Sequence, residues 1–200
     1  FCGIEMADGK YMTLSDKREQ CSQCQKTAID EVSEFRKLFR IVKKQFETVY
    51  RVRINIPIHI YLTTAEEIAA ETGETFVPTP GFDPRSVGFA RHIQDGDKNE
   101  YSIYIEKSSP RDSATATIAH ELTHICALGD IEYSERMEGM ATWSEIQFMY
   151  AIGRYKYATR LAVTNRKRFD VYGRGLVRYE KSYPLATDGN IKKSPFKKNN

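Results

Sequence analysis

The chain has 200 residues, 40% of them hydrophobic and 28% charged, with a net charge of +3. That is long enough to bury a core without disulfide staples, and the charge excess is too small to argue for nucleic acid as a partner. No run approaches the roughly 20 apolar residues that would span a membrane. No signal peptide is visible, but a start at Phe1 rather than Met leaves room for a removed leader, so the compartment stays open.

A cysteine-bearing segment, residues 1–28, comes first and is set apart from a domain over residues 29–200. Cys21-Ser22-Gln23-Cys24 is a C-x-x-C, and Cys2 stands upstream of it with eighteen residues between. Together they make three quarters of a zinc knuckle. A structural zinc site on Cys2, Cys21 and Cys24, a disulfide, and free thiols are the three readings open to them. Cys126, far from the others, reads as a buried thiol.

Next, Ile29, Val32, Phe35, Leu38, Phe39, Val42, Phe46 and Val49 recur at helical spacing, which predicts a long amphipathic helix. Arg53 to Thr63 alternates, with Ile54, Ile56, Ile58, Ile60 and Leu62 on one face, as a half-buried strand does. Pro57 in that run argues for an edge or a bulge. Thr64-Ala65-Glu66-Glu67 is a capping box opening a short helix that ends at Gly73. Phe76 to Ser86 is a Pro-rich loop. Val87 to Ile93 and Tyr101 to Glu106 form a hairpin around Asp95-Gly96, the second strand bordering a cleft. His59 reads as a surface or packed residue, and His92 sits near the end of the first hairpin strand.

Ser109-Pro110-Arg111-Asp112 then opens a helix, with a capping Ser, Pro at the first position and an acid in the first turn. The helix runs to Leu128 and stops at Gly129. Ser134 caps another, running toward Tyr150, and a helical region follows. The basic stretch Asn165–Arg168 and the tail with Lys192, Lys193, Lys197 and Lys198 read as solvated surface. This order is α+β with a small mixed sheet.

On the helix opened at Ser109 lies His120-Glu121-Leu122-Thr123-His124, an H-E-x-x-H motif. Residues four apart share a helix face, so the two imidazoles can grip one zinc ion. Glu121 stands beside the open coordination position, placed to take a proton from water. Ile118, Leu122 and Ile125 form a separate apolar stripe facing the core. No His follows His124, so the third ligand must be a carboxylate, and Asp130, Glu132, Glu135, Glu138 and Glu145 are near enough. Spacing selects Glu138, with small Gly139 and Ala141 beside it allowing close approach of the first helix. Glu135 then reads as a solvated edge and Glu145 as a partner orienting a ligand His. An oxyanion donor is needed as well. Tyr150, Tyr155, Tyr157 and Tyr172 are available; Tyr172 is favoured as an exposed Tyr on a glycine-loosened turn, against the competing reading that it packs or caps.

With these residues in place, the chain resembles the peptidase region of the ubiquitin-activated LIM-domain metallopeptidases that limit organ growth in plants, and especially their short bacterial relatives. The resemblance rests on Cys2-Gly3 through Asp8-Gly9, Cys21-x-x-Cys24, Thr27-Ala28-Ile29, Ile56-Pro57 and Val87-Gly88-Phe89. It continues through Ser102-Ile103-Tyr104-Ile105 as an edge strand, the H-E-x-x-H helix, Glu138-Gly139, Tyr172-Gly173-x-Gly175-Leu176 and Tyr183-Pro184. The His-to-Glu gap is shorter than in the plant enzymes, the LIM-like portion is partial, and the 200 residues hold no ubiquitin-interacting motif. The resemblance implies a zincin-like fold and gluzincin-type proteolysis of a protein or peptide substrate. It implies one catalytic Zn2+ on His120, His124 and Glu138, with Glu121 as base and room for a second, structural Zn2+. The competing reading is a catalytically idle zinc-containing module that binds a protein partner.

Overall fold

The computed structural model describes residue 1 and residues 11–77, 86–96, 98–127 and 134–196. Readings that fall on Cys2, on most of the Phe76–Ser86 loop, on Leu128-Gly129, on Asp130 and Glu132, and on Lys197 and Lys198 lie outside these residues. The described chain is α+β, with seven helices and three small sheets. It falls into two compact units, Phe1–Leu38 with Ile58–Thr117, and Phe39–Pro57 with Ile118–Asn200. No helix among the described residues is long and apolar enough to cross a membrane.

In the first unit, β1 (Tyr11–Thr13) and β2 (Glu19–Cys21) pair antiparallel, a hairpin not foreseen in the cysteine segment. Cys21 is the N-cap of the single-turn α1 (Ser22–Gln25), where its Sγ accepts the Cys24 amide at 3.5 Å. β3 (Ala28–Ile29) precedes α2 (Val32–Tyr50), whose residues after Leu38 belong to the second unit. β4 is Ile58–Thr63, shorter than the predicted strand, and Pro57 stands just ahead of it. The missing donor of Pro57 is therefore of no cost to the ladder. Ile54 belongs to the other unit, where Glu47 Oε1 accepts its amide at 2.8 Å and Lys43 donates to its carbonyl at 2.8 Å. Ile56 is exposed, so the alternation of isoleucines overstated the strand.

The capping box at α3 (Ala65–Thr72) is as expected. Glu67 N donates to Thr64 Oγ1 at 3.2 Å, Thr64 N donates to Glu67 Oε2 at 2.9 Å, and Gly73 closes the helix at φ +72°. β5 (Gly88–Asp95) and β6 (Lys98–Glu106) form the antiparallel hairpin, and β4 joins β6 in parallel, giving a mixed sheet of order β4-β6-β5. This corrects the edge-strand expectation: the strand holding Ser102–Ile105 is central, and β4 and β5 are the edges. Gly88 permits the sheet to close on its cover, because a Cβ there would lie 2.6 Å from Thr117 Cγ2 and 2.7 Å from Tyr104 O.

β7 (Ser109–Pro110) pairs with β3, and α4 begins only at Arg111 (Arg111–Ala127). Ser109 is thus a buried strand residue and not the helix cap. Arg111 N donates to Thr27 O at 2.8 Å, tying the helix start to that short ladder.

In the second unit, α5 (Glu135–Ala151) packs on α6 (Tyr155–Arg166) and α7 (Val171–Glu180). Ser134 holds the N-cap position of α5 without a side-chain cap bond. Phe46, Tyr50, Trp143, Phe148 and Phe196 make an aromatic core, with ring centroids 4.6–6.3 Å apart. Such tilted and edge-on pairs add to the stabilisation from burial alone.

Candidate metal centre

The second unit contains the whole centre. His120, Glu121 and His124 lie on α4, Glu138 and Glu145 on α5, and Tyr172 at the start of α7. Relative exposures of 8% for His120, 4% for Glu121, 8% for His124 and 1% for Glu138 put every one of them in the interior. Ile118, Leu122 and Ile125 are buried as the core stripe requires, and the metal face is buried as well, since Ala114 through Ile125 has no exposed residue.

One side-chain hydrogen bond ties α4 to α5. Thr123 Oγ1 donates to the Ala119 carbonyl at 2.9 Å and sits 2.8 Å from Ser144 Oγ on α5. The carbonyl of Ser144 in turn accepts from Tyr50 Oη at 2.6 Å. This anchoring sets the helical phase at which His120 and His124 meet Glu138.

His120 Nε2 is 3.2 Å from Glu138 Oε2, and His124 Nε2 is 3.6 Å from Glu138 Oε1. One donor atom from each of the three lies within 4.8 Å of the others, and they could hold a metal ion. Tetrahedral bonds of about 2.1 Å put neighbouring ligand atoms roughly 3.4 Å apart; the two His–Glu138 distances, which run to different carboxylate oxygens, are near that value, and the set as a whole is looser. His120 Nδ1 lies 3.5 Å from Glu145 Oε2, the arrangement that holds a ligand ring in place. Glu135 instead pairs with Arg174 at 2.9 Å on the surface, as expected of a solvated edge.

The charges at the centre are strongly coupled. Burial pulls the His120 imidazole down, but hydrogen bonds to Glu138 and Glu145 and the charges of Glu145 and Glu121 hold it well above the usual histidine range. His124 goes the other way, to about 4, through burial and the His120 charge, against the pull of Glu138.

Tyr172 is not on a loosened turn. It lies in the first turn of α7, half-buried, with its ring centroid 6.0 Å from that of His120. Gly173 and Gly175 serve close packing: a Cβ on Gly173 would lie 2.6 Å from Asn165 O, and one on Gly175 would lie 2.8 Å from Gly139 Cα. Gly139 thus admits α7, and not α4 as its spacing had suggested. Of the other tyrosines, Tyr150 is committed to Thr159 Oγ1 at 3.0 Å and Tyr155 is exposed.

Arg168 was read as part of a solvated basic stretch. It stacks over the Tyr172 ring at 4.6 Å and bonds Asp170 Oδ2 at 2.6 Å. Asp170 caps α7, accepting the Gly173 amide at 3.1 Å. An Asp three residues before Gly173 is a helix-start signal that could have found this. Away from the centre, His92 stacks on Tyr101 at 4.6 Å and lies 2.8 Å from Asn99 Oδ1, and His59 is exposed. Cys126 is half-buried, its thiol pushed up to about 12 by burial.

Among the described residues, His120, His124 and Glu138 form the one group of three or more such side chains placed to share an ion. No family model matches this chain, and no curated protein or solved structure is similar enough to serve as a relative.

Proposed function

We propose that this protein is a zinc-dependent peptidase of the gluzincin type, related to the LIM-domain metallopeptidases that its motifs resemble. One observation carries the reading: two imidazoles and a carboxylate converge in the interior, and a second carboxylate, Glu121, adjoins the first of them. Two nitrogens and one oxygen are a donor set that suits zinc and leaves a position for water. When bound there, the ion supplies Lewis acidity to water and to the scissile carbonyl.

The rest of the chemistry falls to the chain. Glu121 accepts the proton of the attacking water on its carboxylate and passes it to the leaving amine. The Tyr172 phenol donates to the oxygen on which negative charge develops. Glu145, at His120 Nδ1, fixes the ring that faces Glu138.

The test measures metal content and peptide cleavage together, on wild type and on Glu121→Gln. About one zinc per chain in both, with turnover in wild type alone, is the expected result. Undiminished turnover in the variant would sink the assignment of Glu121. Zinc without turnover in either would leave an idle binding module, and absence of zinc would remove the reading altogether.

A further inference from the structure

The second unit also holds a cavity of about 960 Å³ to which none of the metal-centre residues contributes a wall. Arg53, Arg136, Arg178 and Lys193 line it, and no carboxylate does so among the described residues. Tyr179 and Tyr183 stand in the same wall, stacked with centroids 5.0 Å apart and planes 18° apart.

Lys193 and Arg178 are each held by the protein at one point. Lys193 Nζ donates to the Ser182 carbonyl at 3.0 Å and lies 4.7 Å over the Tyr183 ring. Arg178 approaches Glu135 no closer than 3.8 Å, while Arg174 holds that carboxylate at 2.9 Å. The side chain of Arg178 is 79% exposed. Guanidinium forks match phosphate oxygens in pairs, and an ammonium adds a point charge. A lone phosphate would leave most of the space empty, since hollows of roughly 300–1,000 Å³ take drug-sized molecules. The tyrosines supply apolar aromatic surface for a flat ring.

We propose that this cavity binds a nucleoside phosphate, the phosphates on Arg136, Arg178 and Lys193 and the base against Tyr179 and Tyr183. Binding there does not depend on the peptidase reading. The cavity nevertheless shares α5 and α7 with the metal centre, through Met140 and Gly175.

Trp143 is the one tryptophan in the sequence, and its ring lies 6.0 Å from Tyr179 and 6.1 Å from Tyr183. Its emission therefore reports on the cavity wall. The experiment titrates the full chain with ATP, tripolyphosphate and adenosine, each in excess magnesium so that no phosphate strips the metal centre. Trp143 emission and heat are both followed. ATP should saturate, tripolyphosphate should bind more weakly, and adenosine weakest of all.

The double variant Arg178→Gln/Lys193→Gln should weaken ATP by at least about 10-fold, the factor for one lost charge-assisted hydrogen bond. Lys44→Gln, which removes an exposed charge away from the cavity, should leave binding unchanged. All these substitutions are on the surface, and thermal unfolding checks that the variants fold. No saturable signal with ATP in either readout would overturn the proposal, as would equal ATP affinity in the double variant. Tripolyphosphate binding as tightly as ATP would overturn the nucleoside assignment.

Discussion

Gly139 follows the third ligand directly, so one substitution there tests packing and metal centre together. A Cβ on Gly139 would lie 2.8 Å from Gly175 Cα and closer still to the Gly175 carbonyl. Those atoms are backbone, so no rotamer change relieves the clash. To regain ordinary contact with the carbonyl, α5 and α7 must part by ~1 Å. Overpacking costs about 1–3 kcal/mol, and a backbone obstruction puts this case at the upper end. Alanine in a helix interior returns about 1 kcal/mol relative to glycine. Gly139→Ala should therefore destabilise the protein by about 2 kcal/mol, a fall of roughly 4–8 °C in the unfolding midpoint of a chain this size. The same parting shifts Glu138 against His120 and His124, now 3.2 and 3.6 Å away, so metal affinity should fall with stability. Thermal unfolding of the metal-free protein and a metal titration read the two effects separately. Gly153→Ala is the comparison, with φ +79° and nothing within 4 Å of its Cβ. It should cost about 1 kcal/mol of backbone strain and leave metal binding alone. A Gly139→Ala protein with wild-type midpoint and wild-type metal affinity would refute the close α5–α7 contact.

Glu145→Gln removes the charge 3.5 Å from His120 Nδ1 and should lower metal affinity about 10–100-fold in competition with a chelator. An unchanged affinity would show that the contact orients nothing. Burial raises the Asp170 carboxyl, but Arg168 and the Gly173 and Tyr172 amides outweigh it and hold it below its usual 3.8. Its stabilising effect is thus complete above the unfolded value and is lost as pH falls through the folded one. The gap in urea midpoint between wild type and Asp170→Asn should be full at neutral pH and close below about pH 4; a gap of constant size would show that the Asp170 charge does not stabilise the fold. In the first unit, Arg18 Nη2 meets the fully buried Glu106 at 2.5 Å and Asp16 at 2.5 Å. Arg18→Met should cost about 3 kcal/mol by stripping a cation from buried carboxylates. A loss under about 1 kcal/mol would show that water still screens the pair.

Local chemistry was legible where the signal is contained in a few adjacent residues. Thr64 to Glu67 closes a capping box within one turn, and His120 and His124 are placed together by helix geometry alone. Glu138 was reachable because the absence of a later histidine forces a carboxylate. What failed depended on partners distant in sequence. Ser109-Pro110 carries a good helix-start pattern, but pairing with Ala28–Ile29 captured it for a strand. Ser102–Ile105 is central because the non-adjacent β4 pairs with it in parallel, a choice no local pattern records. The glycines beside Tyr172 looked like looseness, when their missing side chains admit Gly139, Glu135 and Asn165. Arg168 looked solvated because the ring it stacks on is presented by the next helix.

The buried polar groups of α4 and α5 include two contrasting kinds, beside Thr142 Oγ1 and Trp143 Nε1, which have no hydrogen-bond partner. Thr123 is answered by Ala119 O and Ser144, and Gln147 by the amide and carbonyl of Ala186 at 2.7 and 3.1 Å. Each such bond completes a backbone or hydroxyl partner and so contributes to holding the fold. His120, His124 and Glu138 differ: their donor atoms face one another, and one imidazole is driven up while its neighbour is driven down to about 4. Apolar side chains of similar volume in place of a buried charged group are commonly neutral or stabilising. Stability alone gives little reason to bury such a cluster between two helices. The three converge in the interior with Glu145 at His120 Nδ1 and the Tyr172 ring 6.0 Å from that of His120, an arrangement that the proposed metal site accounts for and packing alone does not.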